Sequence, residues 1–165
     1  MDCAGDMTDL SIRVARGHES DACVDVYRAA WRGMAFVPQG LHTMAEDRRW
    51  MREVFARQLV LVAETSRIGD MDDAARIVGL LSMSEGTVHN LYIRPGYQNR
   101  GIGHRLIETA KTCSGGQLQL WVFEPNEGAI RFYQRHGFAT VRKTDGLENE
   151  EKVPDRLMVW RTGDP

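Results

Sequence analysis

Arginines and glycines crowd one passage of the chain, LYIRPGYQNRGIGHRLIETA (residues 91–110), where an apolar run gives way to a helical pattern. Its centre is the hexad QNRGIG, Gln98, Asn99, Arg100, Gly101, Ile102 and Gly103, followed by His104. A helix start leaves its first amides unpaired and carries about half a positive charge. Glycines there let the main chain close on a phosphate. The junction therefore reads as an anion site, with a pyrophosphate as its natural ligand.

Two familiar phosphate loops fit poorly. GxxxxGK(S/T) is absent, which removes a Walker-type nucleotide loop. GIGHRL has the first two glycines of a dinucleotide fingerprint, and Glu124 stands where a ribose-binding acid would be. Yet Leu106 occupies the third glycine position, and RPGYQNR separates the strand from the glycines where an abrupt turn is needed. A hairpin also precedes the motif, instead of a first βαβ unit.

The elements that would position this junction follow from periodicity. SIRVARG alternates and predicts a strand over Ser11–Arg16. Cys23, Val24, Tyr27, Ala30, Trp31 and Met34 recur at helical spacing behind an N-cap at Ser20 or Asp21. Thr43 with Glu46 forms a capping box for a second helix, with Trp50, Met51, Val54 and Phe55 on one face. LVLVAET is a buried strand, and the polar SRIGDMDDAAR a connection. IVGLLSMS and TVHNLYI make a hairpin turning at Glu85-Gly86. A helix from near Asn99 turns Ile102, Leu106, Ile107 and Ala110 inward. LQLWVF is a strand, NEGAIRFYQRHG a helix stopped by Gly137, and FATVRKT and DRLMVWR the closing strands. The order β-α-α-β-β-β-α-β-α-β-β predicts an α/β (α+β) fold, with about four helices around a mixed, mostly antiparallel sheet of about seven strands.

At 165 residues, a single domain over residues 10–162 is expected. The acidic MDCAGDMTD lacks the apolar core of a secretory signal, so residues 1–9 are expected to form a loose tail. A net charge of −2 gives no reason to expect nucleic acid as partner. LVLVA, Leu59–Ala63, is the longest apolar run and far too short to span a membrane. Cys3, Cys23 and Cys113 are odd in number and widely spaced, which suits a reducing cytoplasm. With no CxxC or HxxxH spacing, no metal site is expected.

QNRGIG also matches the R/Q-x-x-G-x-G/A signature of the GNAT acetyltransferase superfamily. LWVFEPNEGAIRFYQRHGF, Leu120–Phe138, resembles that family's second block, with its N…A…FY…GF pattern. The two blocks and the strand before them cover Val88–Phe138 in the expected order. The resemblance implies a GNAT-like fold and acetyl-CoA as co-substrate, its pyrophosphate on the amides of Asn99–His104. It implies that backbone groups of Leu91, Tyr92 and Ile93 pair with the pantetheine arm like an added strand, one amide facing the thioester oxygen. Asn126 and Ala129 match positions on the pantetheine side, although Asn126 is equally placed to cap the helix that follows it. Tyr133 matches the tyrosine that protonates the departing thiolate, and it is also placed as a core aromatic.

The general base is less legible. Many members carry a glutamate on the first-block strand, and TVHNLYI offers His89 and Asn90 instead. A histidine titrates near neutrality and suits the role; a water chain with no dedicated base is the alternative. By the same resemblance, the loops after the first helix and between the last strands enclose the amine. They bring Trp31, His42, Glu150 and Glu151, whose carboxylates favour a cationic acceptor. The reading is an N-acetyltransferase acting on a primary amine, a small molecule, by direct attack in a ternary complex. A protein N-terminal or lysine acetyltransferase and a non-catalytic acyl-CoA-binding module are the alternatives. A homodimer is possible on the resemblance.

Overall fold

The computed structural model describes residues 10–66 and 76–163. The expected tail over residues 1–9 and nearly all of the connection SRIGDMDDAAR lie outside them. Seven strands form one sheet: β1 (Leu10–Val14), β2 (Leu59–Thr65), β3 (Ile77–Ser84), β4 (Thr87–Ile93), β5 (Gln117–Phe123), β6 (Ala139–Thr144) and β7 (Asp155–Arg161), in the order β1-β2-β3-β4-β5-β7-β6. Four α-helices accompany them: α1 (Ser20–Arg32), α2 (Met44–Arg57), α3 (Ile102–Cys113) and α4 (Glu127–Arg135). Every strand pair is antiparallel except β4–β5. The mixed, mostly antiparallel architecture is the one the element order predicts. Among the described residues, no helix is long and apolar enough to cross a membrane.

Both faces of the sheet are covered, so the central strands read as apolar runs and not as alternation. On one face Leu61, Val78, Leu81 and Leu120 meet Leu106 and Ile107 of α3 and Ile130 and Tyr133 of α4. On the other, Val62 and Leu80 meet Val24 and Val26 of α1 and Met51 and Val54 of α2. Leu106 is fully buried; its truncation to alanine would cost about 2–5 kcal/mol. Gly79 matters to the site. A Cβ there would lie 2.8 Å from Ile93 Cδ1 and 3.2 Å from Ile102 Cγ2. Its bare backbone lets the start of α3 sit hard against β3 and the end of β4.

Thr43 caps α2 in the expected box, accepting from the Glu46 amide at 3.3 Å while Glu46 Oε2 accepts from the Thr43 amide at 2.8 Å. Three local expectations shift. β1 is Leu10–Val14, although the Ala15 amide still donates to Val60 O at 2.8 Å. Neither Ser20 nor Asp21 caps α1. A 3₁₀ turn, Gly17–Glu19, leads in, and Glu19 stands at the N-cap. Its carboxylate accepts from Arg13 at 2.6 and 2.9 Å and from the Arg16 amide at 2.6 Å. The Arg13 hydrogen bonds hold that carboxyl below the usual range. Finally, α3 begins at Ile102, not near Asn99, because Gly101 adopts φ +74° and ends the turn.

Candidate active site

β4 and β5 run parallel but share only two register pairs, Thr87–Gln119 and Val88–Leu120. Beyond them β4 stays with β3, through Gly79–Ile93, and β5 stays with β7, through Phe123–Asp155. The sheet divides in its middle. A bulge marks the point: Ser82 pairs with Asn90 and Met83 with Val88, leaving His89 as the extra residue. Among the described residues, the peptide groups of β4 that face β5 have no strand to pair with from His89 onward.

The gap is walled by Asn90, Leu91 and Tyr92 on one side and by Leu120, Trp121 and Phe123 on the other, with Asn126, Ala129 and Tyr133 of the α4 segment across it. Asn126 does cap α4, its Oδ1 accepting from the Ala129 amide at 3.1 Å. Tyr133 is buried, its ring edge-on to Phe132 at 5.1 Å and Phe138 at 5.6 Å. Burial pushes its phenol well above the ordinary value, so at neutral pH it is a proton donor only.

The α3 start lies just past the end of β4. Its first helical bond runs from the Arg105 amide to Gly101 O at 3.1 Å, and no side chain caps it. Its first turn holds no acid. The amides of Ile102, Gly103 and His104 precede that bond and are free of a side-chain cap. Gln98 Nε2 donates to Ile93 O at 3.2 Å, tying the turn to the strand, and the Arg100 guanidinium lies 5.5 Å from the Tyr97 ring centre. A Cβ at Gly103 would meet the Phe132 ring at 3.2 Å, so a larger residue there would push that ring aside by a few tenths of an ångström. An unpaired strand edge leading to an uncapped, acid-free helix start suits a ligand with amide groups along an arm and a pyrophosphate at its end.

A second opening, a cleft of about 950 Å³, continues from the gap toward α1 and α2. Trp31, His42, His89, Glu150 and Glu151 all line it, so the expected acceptor-side residues come together in one place. His42 Nε2 sits 3.0 Å from Glu150 Oε1 and joins the loop after α1 to the loop between β6 and β7. His89 is exposed, with Nε2 2.8 Å from Ser84 Oγ. Its neighbour Asn90 is buried and donates to Ser82 Oγ at 2.7 Å. Glu124, the acid of the nucleotide alternative, is held by Arg156 and by Lys143 at 3.3 Å.

The cleft also holds residues that no local pattern groups with the acceptor-side loops. Tyr27 stands at the centre of a ring cluster, 5.5 Å from Trp31, 5.1 Å from Trp50 and 5.3 Å from Tyr92. Burial first, and then Asp47 and Glu151, push its phenol up to about 12. Asp47 is itself buried and paired with Arg28. Helical spacing alone placed Tyr27 on a core face; only the loop carrying Glu151 turns that face into a wall.

Residues 56–140, just over half of the chain, match the model of the acetyltransferase (GNAT) domain. The chain belongs to the GNAT family. Among curated GNAT relatives, the peptidyl-lysine N-acetyltransferase YiaC of Escherichia coli (strain K12) is 29% identical over 90 residues, covering 54% of this chain and 60% of YiaC. The N-alpha-acetyltransferase RimI of Mycobacterium tuberculosis is 40% identical over 58 residues, covering 34% of this chain and 37% of RimI. The chain thus spans under two thirds of the length of either. Among solved structures, yncA from Salmonella typhimurium with its cofactor acetyl-CoA shares the fold, with a TM-score of 0.69 and 18% identity over 93% of this chain and 94% of that one.

Proposed function

We propose that this GNAT protein is an acetyl-CoA-dependent N-acetyltransferase acting on a primary amine, by direct attack in a ternary complex. The observation that carries the reading is the fork between β4 and β5, which opens onto the uncapped start of α3 at one end and onto Tyr133 inside. Bound there, acetyl-CoA supplies an acetyl group activated as a thioester.

The chain's own groups meet the remaining demands. Peptide groups of Leu91, Tyr92 and Ile93 take the pantetheine arm as an added strand, and one β4 amide faces the thioester oxygen, where negative charge develops. Asn126 and Ala129 line the arm from α4. Amides from Asn99 to His104, with Gln98 and Arg100, receive the pyrophosphate. Tyr133 gives its proton to the leaving sulfur. His89, at the fork, takes the proton of the attacking amine directly or through water. This step matters because an amine of pKa about 10 is only about 0.1% neutral at pH 7, a cost of roughly 4 kcal/mol. Glu150 and Glu151 draw the cationic amine into the cleft, against the rings of Trp31 and Tyr27.

A small-molecule amine is favoured because the His42–Glu150 contact bridges two loops over the cleft. The names of YiaC and RimI favour the second reading, a lysine or N-terminal amine of a protein. Calorimetric titration with acetyl-CoA, beside an Arg100→Glu, Gly103→Glu double variant, tests the shared donor half. Micromolar binding that the variant abolishes is expected; absence of binding to the unaltered chain overturns it. Release of free CoA thiol with a panel of small amines, and not with lysine or N-terminal peptides, then separates the two acceptors. Binding without release from either panel would leave a non-catalytic acyl-CoA module.

A further inference from the structure

Outside the acceptor cleft, α3 and α4 bring together His104, Glu108 and His136, whose ligand atoms all lie within 4.8 Å of one another. His104 and Glu108 are one turn apart on α3, and His136 is the C-cap of α4. We propose that these three residues form a site for a divalent transition ion of the zinc class, which clamps the start of α3 to the end of α4. The site is separate from the acetyl-transfer reading and does not depend on it.

The hydrogen bonds around His136 carry the inference. Its Nδ1 is 2.8 Å from Phe132 O. A carbonyl only accepts, so Nδ1 bears a proton, and in the neutral ring Nε2 then presents a lone pair. Histidine ligands of metals are oriented in this way, by a backbone carbonyl behind the ring. The Phe132 ring packs against the imidazole, tilted by 41° with centroids 4.3 Å apart, and limits its rotation. That lone pair faces His104 Nδ1 at 2.9 Å, which must then be the donor. Moving the His104 proton to Nε2 through solvent turns a second lone pair toward the same point.

An ion bound at about 2.0–2.1 Å in tetrahedral geometry needs its two nitrogens about 3.3 Å apart. The imidazoles must part by a few tenths of an ångström, within reach of small side-chain rotations on an exposed face. Glu108 supplies the third, anionic ligand. Lys111 Nζ holds one of its oxygens at 2.8 Å and so orients the carboxylate. Two imidazoles and a carboxylate suit Zn²⁺, Ni²⁺ or Cu²⁺ and not Ca²⁺ or Mg²⁺, and a fourth position is left for water. The ion would join the helix bearing the glycine turn to the helix bearing Tyr133.

The test is titration of the chelator-stripped full chain with Zn²⁺, followed by calorimetry and by thermal unfolding. One ion per chain at micromolar Kd is expected, with Tm raised by about 5–10 °C at a hundredfold excess over Kd. Glu108→Ala and His136→Ala should each weaken binding by about tenfold or more. Cys113→Ser should leave it unchanged. With Co²⁺ in place of Zn²⁺, ligand-field absorption without a thiolate charge-transfer band is expected. Absence of saturable binding, equal binding by the two ligand variants, or a thiolate band would each overturn the site.

Discussion

Replacing Tyr133 by phenylalanine isolates the proton it is placed to deliver. The ring keeps its edge contacts with Phe132 and Phe138, and only a hydroxyl is lost from a gap that already strongly disfavours the phenolate. Stability should therefore change by no more than about 1 kcal/mol. The chemical cost is larger. General acids contribute about 10²–10⁴ in rate. The buried phenol is a weaker acid than free tyrosine, while a thiol in water has a pKa of about 8.5. In water, transfer to the thiolate would run uphill. Inside the gap both anions lose solvation, which restores the match only in part.

The low end of the range is then expected for Tyr133→Phe: kcat down by about a hundredfold, equivalent to about 2.7 kcal/mol. Release of CoA thiol measures the rate, and calorimetry measures acetyl-CoA affinity, which should stay within about twofold because the lost group acts on charge that develops later. A kcat within twofold of the unaltered chain would remove Tyr133 from the chemistry. A loss of affinity equal to the loss of rate would make it a binding residue instead.

Three further outcomes are expected. Gly101→Ala forces a side chain into a left-handed N-cap at φ +74°, costing about 1–2 kcal/mol and about 2–8 °C in Tm. Acetyl-CoA affinity should fall with it, and an unchanged Tm would refute the strain. Glu150→Gln with Glu151→Gln should raise KM for a cationic amine while sparing a neutral isostere; an equal effect on both would show that charge plays no part. Burial raises the phenols of Tyr27, Tyr92 and Tyr133, that of Tyr27 to about 12. A raised native pKa means stability is fully present below about pH 10 and lost as pH climbs through the native values. The urea midpoint should hold to about pH 10 and then fall. Early ionisation of these tyrosines in the native protein, followed by ultraviolet absorbance, would contradict their burial.

The element order was legible because each element carries a local signature: the Thr43–Glu46 box, the Glu85-Gly86 turn, and the helical spacing of Ile102, Leu106, Ile107 and Ala110. The errors were local too. Ser20 looks like a cap until Arg13, near the end of the first strand, claims Glu19 and winds a 3₁₀ turn ahead of the helix. The stretches proposed for the donor side, QNRGIG and the second block, stand out because each is short and contiguous. The fork itself was hidden, since it depends on which strand β5 prefers, β4 or β7, and no local pattern encodes that preference. Tyr27 and Asp47 joined the acceptor cleft only through loops folding over them. His104 and His136 are 32 residues apart, so no spacing rule reaches across them.

A surface made of peptide groups has a consequence for how this protein can change. Along the unpaired edge of β4, what a ligand meets is the main chain, which is the same whatever side chains it bears. Substitutions at Leu91 or Ile93 that preserve an extended backbone and its packing leave that edge intact. The acceptor cleft is built the other way, from the side chains of Trp31 at the end of α1 and of His42, Glu150 and Glu151 on two loops. One half of the molecule is therefore buffered against drift while the other is exposed to it; on the function proposed above, new acceptors could be acquired without redesigning the donor grip.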